Sequence, residues 1–87
     1  MDPVEEYARR IAPVREQYHR DFATLEASWV GRRQAVVDRV EREVGIYLEG
    51  LIDFLSRPVD RAHERAVARL FETYTAAADA IRQELGL

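Results

Sequence analysis

"ASWVGRR", residues 27–33, sits within a long run of helix-compatible sequence, and the reading of its glycine decides how many rods the chain makes. A glycine two positions beyond the last residue of an apolar helical seam is a common left-handed helix stop. Gly31 is therefore predicted to end a first helix just after Trp29. Backwards from Trp29, the residues Leu25, Phe22, Tyr18, Val14, Ile11, Tyr7 and Val4 recur at intervals of three and four, a narrow seam of the coiled-coil kind. Asp2 and Pro3 supply an N-cap and a first-turn proline, with Glu5 in the first turn. Pro13 falls on the face opposite the seam, where a proline bends a helix without ending it. One kinked helix over 3–30 follows.

Forward from Gly31, the residues Val36, Val37, Val40, Val44, Tyr47, Leu48, Leu51, Phe54 and Leu55 form a wider apolar stripe that predicts a second helix over 32–56. Gly45 and Gly50 inside it each cost about 1 kcal/mol relative to alanine, which marks a close approach or a local bend. Pro58 and Asp60 echo the opening Pro3 and Glu5 and predict a third helix over 58–86. Its stripe, Val59, His63, Ala66, Leu70, Tyr74, Ala77, Ile81 and Leu85, is rotated by about 100° from the second, more than a continuing heptad would drift. The expected fold is all-α: a single domain over 1–87 with three antiparallel helices, up-down-up, assembling into a larger bundle. The competing reading is a helical hairpin whose long second helix is kinked at Pro58.

Composition narrows the function classes. Eighty-seven residues, 47% hydrophobic and 33% charged, are enough to fold but near the size at which a lone core is marginal, so a partner is expected from size alone. The absence of cysteine excludes thiolate metal sites, thiol nucleophiles and a disulfide framework. Thirteen cations, all arginine, against sixteen acids give a net charge of -3, a poor balance for nucleic-acid binding. "MDPVEEYARR" is charged, and no run reaches the ~18 apolar residues a membrane span requires. The expectation is a soluble protein, cytoplasmic or exported without a cleavable signal peptide.

Chemistry-bearing patterns are sparse. Glu16 and His19 have the i, i+3 spacing by which ferritin-like carboxylate proteins hold a metal, and Asp60 with His63 repeats it. An up-down-up bundle separates the two histidines by roughly 20 Å in height, so no shared site is predicted and no cofactor is expected; a small ferritin-like metalloprotein using Glu16 and His19 is the alternative function. His63, centred on its apolar face, is a candidate titrating switch or a core histidine with a hydrogen-bonding neighbour. Arg57, Arg61, Arg65 and Arg69 form a row that could grip an anionic surface or nucleic acid, or serve as a solvated face paired with neighbouring acids. Glu5/Arg9, Glu6/Arg10, Glu16/Arg20 and Asp38/Arg42 have the acid-first i, i+4 order that supports helices. No nucleophile motif, phosphate loop or paired-acid site is present, so no enzymatic activity is predicted.

Leu25-x-x-x-Trp29-x-Gly31, flanked by helical sequence, resembles the WXG superfamily of small helical hairpins handled by type VII secretion systems. The resemblance implies a Trp-x-Gly turn at Trp29 and Gly31 between antiparallel helices, and dimerisation into a four-helix bundle. With or without that family, the expected role is protein–protein association with a second copy or a related helical protein. The expected contact residues are Tyr7, Ile11, Tyr18, Phe22, Leu25, Val40, Val44, Tyr47 and Leu51.

Overall fold

The structure, a computed structural model, describes residues 2–87. Two helices make it up, α1 over Pro3–Val44 and α2 over Glu49–Glu84, packed antiparallel as a hairpin. Rising 1.5 Å per residue, a 42-residue helix is about 63 Å long. That is the length of the molecule, whose extents are 64 × 16 × 13 Å.

Two rods thus stand where three were expected, and the turn lies at Gly45 instead of Gly31. Gly31 is exposed and helical, and a Cβ placed on it would meet nothing within 4 Å. The segment after it explains why it does not stop the helix. Val36, Val37 and Val40 continue the face that packs on α2, and that packing outweighs the roughly 1 kcal/mol a mid-helix glycine costs. Gly45 instead adopts the left-handed conformation at φ 88°, and its N–H bonds the Glu41 carbonyl at 2.8 Å. Four residues, 45–48, turn the chain, a length usual between antiparallel helices. Val44, Tyr47, Leu48 and Leu51 imitate one helical stripe across this turn, which is how residues 32–56 came to resemble a single helix.

Pro58 does not divide α2 either. It is exposed, on the side away from α1, and the helix passes through it as α1 passes through Pro13. Each proline withholds one helical hydrogen bond, from the carbonyls of Arg9 and Phe54 respectively. The first helix begins as its sequence predicts: Asp2 accepts from the Val4 N–H at 2.9 Å. The expected i, i+4 ion pairs are replaced by others. Arg9 bonds Glu6, Arg39 lies 3.4 Å from Glu43, and Arg10 reaches across the open end to Glu84.

Burial is thin, because each helix has one neighbour. Among the described residues only Val40, Ile52 and Ser56 are fully buried, all just behind the turn. The seam residues Ile11, Tyr18, Phe22, Leu25, Leu70, Tyr74 and Ile81 are half-buried. No described helix is long and apolar enough to cross a membrane.

Candidate functional site

Antiparallel pairing sets opposite each other residues distant in sequence, and at mid-rod this builds a polar clasp around Trp29. Its indole N–H donates to Asp60 Oδ1 at 2.8 Å, and its ring stacks on His63 with centroids 4.8 Å apart. His63 Nε2 lies 2.9 Å from Glu26 Oε1. Arg33 bridges Asp53 at 2.7 Å and Asp60 at 3.4 Å. Trp29 is therefore a helix-to-helix clasp residue and not part of a turn, and His63 has a neighbour in Glu26 and a ring partner in Trp29. Nearer the open end, the Tyr74 hydroxyl donates to Asp21 Oδ2 at 2.6 Å. That bond, with help from the Gln17 amide, holds the Asp21 carboxyl below the ordinary carboxylate range. The same bond raises the Tyr74 phenol above its usual value.

A two-helix hairpin has a groove on each side of its seam, and here the two differ. On one side Ile11, Val14, Tyr18, Phe71, Tyr74 and Ala78 line a groove of about 400 Å³. It continues past Phe22 and Val67 into a stretch of about 490 Å³, with Tyr18 and Phe71 common to both. At 100° per residue, the other groove lies across the seam. Leu25, Trp29 and Ala66 line it together with Ser28, Arg32 and Arg69 over about 240 Å³, and it continues past Asp21, Leu70 and Thr73 into a stretch of about 380 Å³, so it is somewhat smaller and more polar. Phe71 stands out on the first groove with 59% of its surface exposed.

A second apolar region occupies the turn end. Val44, Ile46, Tyr47, Leu48, Leu51, Phe54 and Leu55 are all exposed there. Arg57 lies over the Phe54 ring, 5.2 Å from its centroid.

The expected contact residues are consequently scattered. Ile11, Tyr18 and Phe22 line the larger groove, whereas Leu25 lines the smaller one. Tyr7 is half-buried near the open end, and Val44, Tyr47 and Leu51 belong to the turn end. Val40 is spent inside the hairpin at 3% exposure and presents no surface to a partner. Phe71 escaped the sequence reading because it lies just outside the stripe that packs on α1. Its adjacency to Leu70, which widens that stripe, was the available signal.

Glu16 is exposed, and His19 packs edge-on to Tyr18 at the groove margin. The helix pairing sets His63 beside Trp29, so His19 and His63 stand about 15 Å apart along the rod. Among the described residues no group of three or more His, Asp or Glu is placed to hold a metal. Arg57, Arg61, Arg65 and Arg69 run along exposed α2 surface and, among the described residues, make no ion pair. No family model, curated protein or solved structure matches this chain.

Proposed function

We propose that the chain is a non-enzymatic association module, whose larger groove receives a second copy of itself to complete a four-helix bundle. The observation that carries this reading is surplus surface. A compact monomer of 10.1 kDa exposes about 5,300 Å², yet this chain exposes 6358 Å². The difference, roughly 1,100 Å², exceeds the ~800 Å² that each partner contributes to a stable interface. Its radius of gyration, 19.3 Å, compares with about 12 Å for a globular chain of this length. Phe71, at the centre of the groove and mostly exposed, has the character of an interface anchor.

Antiparallel pairing about Tyr18 and Phe71 supports the reading further. It overlaps the open halves of the two rods and keeps the two turn ends apart. The secretion pathway of the WXG superfamily is the biological setting we attach to it. Its support is the hairpin shape, while the turn falls at Gly45 and not at the Trp-x-Gly signature.

Sedimentation equilibrium at micromolar concentrations tests the pairing. The wild-type chain is expected at twice 10.1 kDa, Phe71→Asp at the mass of one chain, and Arg65→Asp on the outer face at the wild-type mass. A wild-type chain that sediments as a single copy overturns the proposal.

A further inference from the structure

We infer that the smaller groove is a docking site for an amphipathic helix of a different protein, held by acidic side chains along that helix. Arg32 of α1 and Arg69 of α2 line the groove with the Ser28 hydroxyl, and no acid lines this stretch. Side chains lean toward the N-terminus of their own helix. In an antiparallel pair Arg32 and Arg69 therefore lean toward each other along the groove, from backbones roughly 15 Å apart. Both are exposed, and neither makes an ion pair among the described residues.

The nearby acids are engaged elsewhere. Glu26 is held by His63, and Asp60 by Trp29 and Arg33. Asp21, where the groove continues, accepts from Tyr74 at 2.6 Å and from Gln17 at 2.8 Å. Glu64 lines the opposite groove. Three and four residues from Arg32 in either direction stand Ser28, Trp29, Ala35 and Val36, so its own helix offers it no carboxylate. Arg69 has Glu72 on one side and Arg65 on the other, and a like-charge pair at i, i+4 disfavours the helix that carries it. An acid supplied from outside the chain offsets that repulsion.

The floor between the arginines selects the shape of the occupant. Ala62 and Ala66, one turn apart, leave room for a third rod to approach the seam closely. Carboxylates two turns apart on such a rod, separated by about 10.5 Å, come within reach of both guanidinium groups, whose planar fork binds them bidentately. A second copy in two-fold contact through this groove would set arginine against arginine. A nucleic acid or an anionic bilayer would meet a chain of net charge -3, repelled by the acids outside the groove. The site is independent of the pairing proposed above, which uses the other side of the seam.

Trp29, the single tryptophan of the chain, lines the groove and reports its occupation. The probe is a helical Ala/Leu/Glu peptide without aromatic residues, titrated into the full chain at low salt. A saturable change in Trp29 emission is expected, at least tenfold tighter than with an Ala/Leu/Lys peptide of the same pattern and weaker as salt is added. Arg32→Gln with Arg69→Gln should weaken binding at least tenfold. Arg57→Gln, beside the Phe54 ring, and Phe71→Asp, in the larger groove, should leave it unchanged. The glutamine variant should keep the wild-type mass in sedimentation, which separates failure of this site from failure of the pairing. No saturable response to the acidic peptide, a response indifferent to the paired glutamine substitutions, or tighter binding to a single-stranded oligonucleotide or to phosphatidylglycerol vesicles overturns the inference.

Discussion

Single residues decide the topology, and two glycines make opposite demands. Gly31 lies in an exposed helix interior with open space for a side chain, so Gly31→Ala is expected to raise unfolding stability by about 1 kcal/mol. Gly45 sits at φ 88°, where a side chain is strained, so Gly45→Ala is expected to lower it by about 1 kcal/mol. Urea denaturation of the two variants checks both signs, and a reversal would return the turn to Gly31. Sequence alone left these glycines hard to tell apart because both follow apolar seam residues, Trp29 and Val44. What distinguishes them is the chain beyond. Three valines carry the helix onward from Gly31, whereas an extended Leu48 follows Gly45. The clasp was illegible for a related reason: Trp29 meets Asp60 and His63 only once the hairpin register is known, and no local spacing encodes that register.

Whole elements were easier to read than their junctions. Residues 3–30 were legible as helix from the Asp2 cap, the seam and the outward-facing Pro13. Pro58 was misread as a start because a first-turn proline and an outward-facing interior proline look alike in one sequence. In the folded helix it removes a hydrogen bond and offers none in exchange. Pro58→Ala is therefore expected to stabilise the chain by about 2 kcal/mol, read as a shift of the urea midpoint with unchanged slope. The pairing of the two helices also has a pH signature at Asp21 and Tyr74. A carboxyl whose folded value is depressed contributes stability above its unfolded value, and loses it as pH falls through the folded one. A phenol whose folded value is raised contributes below its unfolded value near 10.0, and loses it as pH rises through the folded one. Tyr74→Phe is thus expected to destabilise the chain between about pH 5 and 9, and its difference from wild type should fade at both extremes. A constant difference from pH 2 to 11 would contradict the hydrogen bond.

At the scale of the molecule, we propose that the hairpin is half of a bundle. Each of its helices has one neighbour, so its seam residues stay half-exposed. The sequence carried this thin burial in outline. Its apolar stripes exceed what one short chain hides, and Ile11, Tyr18 and Phe22 were recognisable as seam residues from their spacing, now seen to line the larger groove. The division between a long groove and an apolar turn end was not recognisable, because it depends on where the chain reverses. The proposed second copy on the groove would also fix the shape. Two rods of 64 Å, overlapped antiparallel about Tyr18, measure about 80 Å from tip to tip. Small-angle X-ray scattering of the wild-type chain reads mass and length together and so tests the pairing most directly. The account predicts twice the 10.1 kDa chain mass and a longest dimension near 80 Å. A particle of one chain mass, with a longest dimension near 64 Å and a radius of gyration near 19.3 Å, would contradict it.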